Sequence, residues 1–256
     1  MTDIPNEEAL FELLVDLHRP HARQGPGSHA STLLALELAR IDRDRPLRIA
    51  DLGCGTGSSA LVLAEHLDSE IVAVDLFEPF LEELRVRADA RNMSDRITAV
   101  QGSIDDLPFD DGEFDLIWSE GAIYNIGFEA GVNLWRRYLR PGGTLVASEI
   151  TWLTDSRPTA LEEHWLAEYP EIDTASAKLA ILEKASFSPT GYFTLPEACW
   201  REEYYEPILA DLDEFRTRNN SPLADQIAEA ERAEAALYET YSDYFSYGVY
   251  IAQRVD

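Results

Sequence analysis

Three glycines at alternate positions, Gly53, Gly55 and Gly57, lie between a short apolar run that contains Asp51 and the start of a helical pattern. Glycine at this spacing lets the backbone adopt positive φ and approach a ligand without a clash from Cβ. The helix that follows presents free N–H groups and the positive end of its dipole to the turn. The stretch therefore predicts a strand, a tight turn and a helix start that together bind an anionic or polar group.

A second acidic residue, Asp75, ends the next apolar run, residues 70–75. A carboxylate at the tip of the second strand of an α/β sheet is placed to accept hydrogen bonds from both hydroxyls of a ribose. From Gly53 the glycine spacing is G-x-G-x-G and differs from the G-x-G-x-x-G of dinucleotide sites. An ordinary loop with incidental glycines is the simpler alternative.

The turn and Asp75 resemble the first two motifs of the class I methyltransferases that use S-adenosyl-L-methionine (SAM), D/E-x-G-x-G-x-G and an acid that ends the second strand. The resemblance covers residues 46–150, and residues 118–127 are also similar to a bacterial subgroup of small-molecule methyltransferases. It implies SAM as the cofactor, with Asp75 on the ribose, the glycines along the methionine part, and Ser103 and Ile104 beside the adenine. The cofactor contacts that it implies are Asp51, Gly53, Cys54, Gly55, Gly57, Asp75, Leu76, Gly102, Ser103, Ile104, Ser119 and Gly121.

Candidates to orient or deprotonate the methyl acceptor are Glu120, Tyr124, Glu149 and His164. The family commonly carries Asn or Asp where Glu120 stands. With Glu at this position, the resemblance implies a carboxylate near the transferred methyl group. Glu149 is expected near the same place because ligands bind outside the carboxyl ends of the strands in open α/β sheets. A surface or helix-capping role is the alternative for Glu120, and a base is needed only when the nucleophile carries a proton to lose.

The elements that must position these residues alternate between strand and helix from Pro46 onward, as in a doubly wound fold. We expect an α/β fold with a Rossmann-like, seven-stranded, mostly parallel sheet and helices on both faces. Strands are predicted at 47–51, 70–75, 96–101, 114–119, 144–150, 192–195 and 247–254. The predicted domains are an N-terminal helical segment that covers the cofactor site (1–45), the SAM-binding core (46–200), a helical cap insert (201–244) and the last strand of the core (245–256).

Helical patterns at 205–218 and 222–241 make up the cap, and the segment around them is rich in aromatic residues. These are Trp200, Tyr204, Tyr205, Tyr238, Tyr241 and Tyr244. Their concentration suggests a surface that faces the substrate or a second subunit. Packing inside the cap is the alternative for each residue taken singly, and a homodimer is left open.

Composition limits the partners and the kind of site. The net charge of −27 over 256 residues argues against nucleic acid, whose binding depends on Lys and Arg, and favours a neutral or cationic small molecule. Cys54 and Cys199 are too few for a disulfide framework or a zinc site, so we expect no metal. Because the sequence contains no long apolar run and residues 1–8 lack the features of a signal peptide, we expect a soluble cytoplasmic protein.

The resemblance implies methyl transfer from SAM to a small-molecule acceptor, by an in-line displacement that depends on alignment and desolvation. A non-catalytic SAM-binding sensor or partner protein is one alternative, because a fold does not fix a function. An NAD-dependent oxidoreductase is another, since it would share the sheet and Asp75.

Overall fold

Eight strands form one sheet in the computed structural model, which describes residues 7–255. The strands are β1 Leu47–Leu52, β2 Ser69–Asp75, β3 Ile97–Gln101, β4 Phe114–Ser119, β5 Leu139–Trp152, β6 Asp173–Thr174, β7 Phe187–Thr194 and β8 Phe245–Arg254. Seven of them lie in the order β3-β2-β1-β4-β5-β8-β7, and the two-residue β6 pairs with β5. Only β8 runs antiparallel to its neighbours, β5 and β7. The predicted fold class is confirmed, with β6 as an addition.

Ten α-helices connect and cover the strands of the described chain. They are α1 Glu7–His18, α2 His29–Leu38, α3 Ser58–His66, α4 Glu78–Ala90, α5 Phe128–Arg136, α6 Thr159–Glu168, α7 Ala175–Lys184, α8 Glu197–Trp200, α9 Glu206–Asn219 and α10 Pro222–Tyr241. Ser28, Thr174 and Ser221 cap α2, α7 and α10, because each side chain accepts a hydrogen bond from the backbone N–H three residues later. None of these helices has the length and hydropathy that a membrane-spanning helix needs.

Two apolar cores lie on the two faces of the sheet, because successive side chains of a strand point to opposite faces. Ile49 and Leu116 face the core that contains α2, α3, α4 and the cap helices. Ala50 and Ile117 face the core formed with α5 and α7. Every central strand is therefore buried on both faces, as in other parallel sheets.

Several strand bounds differ from the sequence prediction, most of all those of β5 and β7. β5 begins at Leu139, five residues before its predicted start, because Leu139 pairs with Phe114 before a register shift. β7 begins at Phe187, although only its second half was predicted, because Pro189 and an irregularity in pairing interrupt the pattern. Pro189 is tolerated there since β7 is an edge strand.

The cap begins earlier than predicted, with α8 and a π-helical segment at Arg201–Tyr205 that lead directly into α9. Helices α9 and α10, which lie late in the chain, pack on α1, which lies near its start. Arg218 of α9 donates to Asp16 of α1 at 2.8 Å, and His18 lies 3.3 Å from Glu231 of α10. Residues 1–6 of the predicted N-terminal segment and residue 256 of the predicted last strand lie outside the described residues.

Candidate active site

A cavity of about 590 Å³ opens at the carboxyl ends of β1, β2 and β4. Its walls come from the glycine turn, the ends of β2, β3 and β4, α1, the loop after α1, and Tyr204 of the cap. Nine of the expected cofactor contacts line it: Gly53, Cys54, Gly55, Asp75, Leu76, Gly102, Ser103, Ile104 and Gly121. The volume falls within the range of about 300–1,000 Å³ that small-molecule sites occupy.

The glycine turn depends on the absence of side chains. Gly53, Gly55 and Gly57 all have positive φ, at +74°, +54° and +89°. A Cβ at Gly53 would lie 2.2 Å from the Cβ of Ala122, which is fixed to the backbone and cannot rotate away. The turn is therefore held against the segment that follows β4, and its own backbone forms the floor of the cavity.

Asp75 shapes this floor from the tip of β2. Its two carboxylate oxygens accept hydrogen bonds from the backbone N–H of Gly55 at 2.8 Å and of Phe77 at 3.0 Å. Burial raises the pKa of the carboxyl, and these backbone hydrogen bonds oppose the shift. Each oxygen keeps one further lone pair, so the carboxylate can still accept a hydroxyl from the cavity side.

Asp51, Gly57 and Ser119 support the turn from beneath and do not line the cavity. Asp51 is fully buried and accepts a hydrogen bond from Ser59 at 2.6 Å, while its other carboxylate oxygen has no partner in the described part of the chain. Burial raises its pKa to about 7. Ser119 donates to the carbonyl of Leu52 at 2.8 Å and thereby ties β4 to β1.

The end of β3 forms another wall. Ser103 donates a hydrogen bond to the carboxylate of Asp105, and both residues line the cavity beside Ile104. An apolar side chain next to a hydroxyl and a carboxylate suits an adenine ring, which has flat apolar faces and an amino group at its edge.

Glu120 lines the cavity, but its carboxylate is already engaged. It accepts hydrogen bonds from Arg23 at 2.5 Å, Thr32 at 2.7 Å and Trp118 at 2.9 Å. Arg23 and Thr32 lie 97 and 88 residues away along the chain. Glu120 thus joins the N-terminal segment to the end of β4, a contact that its position in the sequence gave no means to predict.

Gln24 makes a second connection between the N-terminal segment and the turn. Its side-chain oxygen accepts from the backbone N–H of Thr56 at 2.8 Å, and its amide nitrogen donates to the carbonyls of His18 and His21. Because the N–H of Thr56 belongs to the glycine turn, the loop after α1 is tied directly to the cavity floor.

The other three candidates to orient or deprotonate the acceptor are dispersed. Tyr124 lines the cavity and is 40% exposed. Glu149 is fully buried outside the lining and pairs at 3.0 Å with Lys178, which is also buried. Burial raises the pKa of Glu149, and the Lys178 ammonium opposes that shift. His164 is exposed on α6 and packs edge-on against Trp165, outside the lining.

Comparisons with known proteins show which proteins this chain resembles. Residues 49–143 match a family model described as a methyltransferase domain. A SAM-dependent methyltransferase from Geobacter sulfurreducens, in complex with S-adenosyl-L-homocysteine, has the same fold with a TM-score of 0.80 at 20% identity, over 98% of this chain and 99% of that one. Residues 49–143 therefore resemble a methyltransferase domain, and the chain as a whole shares the fold of that SAM-dependent methyltransferase.

Two further matches limit what the comparisons show about this chain. A demethylmenaquinone methyltransferase from Thermus thermophilus is 37% identical over 118 residues, which are 45% of this chain and 50% of that protein. The 4+2 cyclase SpnF shares the fold with a TM-score of 0.76 at 20% identity, over 96% of this chain and 94% of that one. The first curated relatives match this chain over about half of their own length or less.

Structures with this fold contain S-adenosyl-L-homocysteine, and the residues that line this cavity fit SAM as a cofactor. Asp75 retains acceptor capacity toward the cavity, and the glycine turn leaves backbone without side chains beside it. In residues 7–255, no group of three or more His, Cys, Asp or Glu side chains is placed to hold a metal ion.

The sequence analysis did not identify several residues that reach the cavity or its surroundings from distant parts of the chain. Arg23 and His18 line the cavity from the N-terminal segment, and Lys178 neutralises Glu149 from α7. The local sequence around each of them carries no motif. Lys178 offered one weak signal, because it is one of only two lysines in the chain.

Proposed function

We propose that this protein transfers a methyl group from SAM to a small-molecule acceptor. One observation carries the proposal: a single cavity joins the glycine turn and Asp75 to a polar aromatic region around Tyr124 and Tyr204. A cofactor on the turn would direct its reactive group toward that region. The acidic composition argues that the acceptor is not a nucleic acid.

The cofactor half of the cavity assigns roles to the chain's own groups. Asp75 accepts the ribose hydroxyls, and Ser103, Ile104 and Asp105 surround the adenine. The backbone of Gly53 and Gly55 lies along the methionine part. When bound, SAM supplies a methyl group on a sulfonium, which an in-line nucleophile displaces.

The N-terminal segment excludes water from this half. Gln24 and Arg23 fasten it to the turn and to Glu120, and Phe11, Leu14 and Val15 of α1 line the cavity above. A dry site strengthens the attraction between the sulfonium and the surrounding carboxylates. The predicted covering role of residues 1–45 is retained here as part of the proposal.

Glu120, Glu149 and His164 are weaker candidates for a general base than the sequence suggested. Glu120 holds three donors, Glu149 is buried in an ion pair, and His164 lies outside the cavity. Tyr124 remains, and burial raises the pKa of its phenol. A phenol with a raised pKa stays protonated near neutral pH, so Tyr124 orients the acceptor through a hydrogen bond.

A SAM-binding protein without methyl transfer is the second candidate. The similarity to SpnF, which is named as a cyclase, favours keeping it, because this fold supports more than one kind of reaction. Such a protein would bind SAM and release no S-adenosyl-L-homocysteine with any acceptor. An oxidoreductase would bind NADH instead. The cytoplasmic location stays a prediction from the sequence.

Calorimetric titration with SAM, S-adenosyl-L-homocysteine and NADH tests the cofactor half. We expect micromolar binding of both adenosyl compounds and none of NADH. Asp75→Ala should weaken adenosyl binding by about 10- to 100-fold, because it removes charge-assisted hydrogen bonds. Asp89→Ala is the matched control, since Asp89 is exposed on α4 outside the cavity lining. Equal binding by wild type and Asp75→Ala would contradict the assignment.

A further inference from the structure

Tyr204 presents a polar group to the cavity that the protein does not satisfy. The residue is only 8% exposed and lines the cavity from the π-helical segment. Its ring stacks on His18, with the centroids 6.3 Å apart, but its hydroxyl has no hydrogen-bond partner among the described residues. The hydroxyl is open to the cavity, where a bound molecule can form a hydrogen bond with it. A ligand is the partner that the cavity can supply.

Two more phenols lie at or next to this part of the cavity, Tyr124 in its lining and Tyr247 behind Gly121. Tyr124 lines the cavity from the turn after β4. Tyr247 of β8 stacks on Trp200 at 5.2 Å and faces Gly121, where a Cβ would lie 3.7 Å from its ring. The Tyr247 hydroxyl also has no hydrogen-bond partner in residues 7–255, and burial raises its pKa, with Tyr124 among the groups close enough to contribute. We call Tyr124, Tyr204 and Tyr247 the tyrosine cluster.

The charge around the tyrosine cluster is negative. Glu234 of α10 accepts a hydrogen bond from Tyr205 at 3.0 Å. Burial raises the pKa of Tyr204, and the neighbouring carboxylates Glu234 and Glu231 raise it further. The two basic residues that line the cavity, Arg23 and His18, are each paired with a carboxylate. An anionic acceptor would therefore meet no unpaired cation among the lining residues.

We propose that the tyrosine cluster binds the amino group of an acceptor amine and that the protein methylates its nitrogen. The inference rests on the proposed methyl transfer and adds the class of acceptor. Aromatic rings and carboxylates attract an ammonium group, and the phenol hydroxyls accept its N–H hydrogens. The same features disfavour carboxylates and phosphates, which need Arg or Lys.

The proton, the methyl group and the electron pairs are all accounted for in this reaction. The bound ammonium first loses one proton to solvent. The nitrogen lone pair then forms a bond to the methyl carbon while the carbon–sulfur bond breaks and its electron pair stays on sulfur. The products are the methylated ammonium and neutral S-adenosyl-L-homocysteine.

Titration of the protein saturated with S-adenosyl-L-homocysteine tests the acceptor class directly. The probes are methylammonium, ethanolammonium and phenethylammonium, each with the alcohol and the carboxylate of the same skeleton. We expect at least one ammonium to bind at least tenfold more tightly than both counterparts. Tighter binding of the alcohol or the carboxylate, or no binding of any ammonium, would overturn the inference. Failure of S-adenosyl-L-homocysteine itself to bind would contradict the proposed function, so the two failures are distinguishable.

Variants locate the binding to the cluster. Tyr204→Phe and Glu234→Gln should each weaken binding of the ammonium about tenfold and leave the affinity for S-adenosyl-L-homocysteine unchanged. The controls are Tyr192→Phe on β7 and Glu229→Gln on the exposed side of α10, both outside the cavity lining. Equal loss in variant and control would show that the ammonium binds elsewhere and would overturn the placement.

Discussion

The two halves of the cavity are built in different ways. The cofactor half consists mainly of backbone, from residues 51–57 and the tip of β2, and is fixed by short hydrogen bonds such as that from Gly55 to Asp75. The acceptor half consists of side chains from the turn after β4, the π-helical segment and β8, which lie far apart in the chain. The cofactor half can therefore be recognised from a local motif, and the acceptor half only from the tertiary structure.

Glu149 and Lys178 form a buried ion pair outside the cavity lining. Breaking this pair should lower the free energy of unfolding more than any other change described below. Lys178→Met leaves a buried carboxylate without its partner, so the free energy of unfolding should fall by about 3–5 kcal/mol. Urea denaturation measures this change. The double variant Glu149→Leu with Lys178→Met should recover most of the loss, because no charge is then left unpaired. No recovery would mean that packing, and not charge, is what Lys178 provides.

Asp51 gives the corresponding test beneath the cofactor half. Its pKa is raised to about 7 in the folded protein, so between about pH 4 and pH 7 the folded state keeps a proton that the unfolded state has lost. The free energy of unfolding should therefore fall as pH rises through this window, by up to about 1.4 kcal/mol per pH unit from this group.

Urea denaturation of Asp51→Asn at several pH values between 5.5 and 8 checks this expectation. The variant keeps an acceptor for Ser59 and should gain stability relative to wild type as pH rises. Asp68→Asn, on an exposed aspartate, is the control. A parallel pH dependence in wild type and Asp51→Asn would contradict the assignment.

Glu120 connects the cavity to the N-terminal segment. Its substitution should have a smaller effect than the changes at Lys178 and Asp51. Glu120→Gln weakens the charged hydrogen bond from Arg23 by about 1 kcal/mol, so local opening of the segment should become about fivefold more frequent. Limited trypsin digestion followed at Arg23 measures this opening. Glu129→Gln, which disrupts an exposed pair with Lys184, is the matched control. Unchanged cleavage in Glu120→Gln would show that the segment is held by other contacts.

The sequence predicted the elements that depend on local patterns. The glycine spacing and Asp75 predicted the cofactor half, since a turn and a strand tip are encoded by a few adjacent residues. Most strand and helix bounds also follow from periodicity and from caps such as Ser28 and Ser221. The sheet order was constrained by the rule that parallel crossovers are right-handed.

The features that it did not predict depend on distant contacts. The carboxylate of Glu120 suggested a base, but Arg23 and Thr32 reach it from the N-terminal segment and turn it into an anchor. The aromatic residues of the cap suggested a surface that faces the substrate or a second subunit, with packing inside the cap as the alternative, and Trp200, Tyr205 and Tyr238 are buried core. Tyr204 alone of that group lines the cavity, and only the π-helical turn directs it there.

A crystal structure of the protein with S-adenosyl-L-homocysteine tests the division of the cavity most directly. The account predicts both ribose hydroxyls on the Asp75 carboxylate, the adenine beside Ile104, and the sulfur directed toward the tyrosine cluster. A ligand whose sulfur points away from Tyr124 and Tyr204, or whose ribose does not contact Asp75, would contradict it.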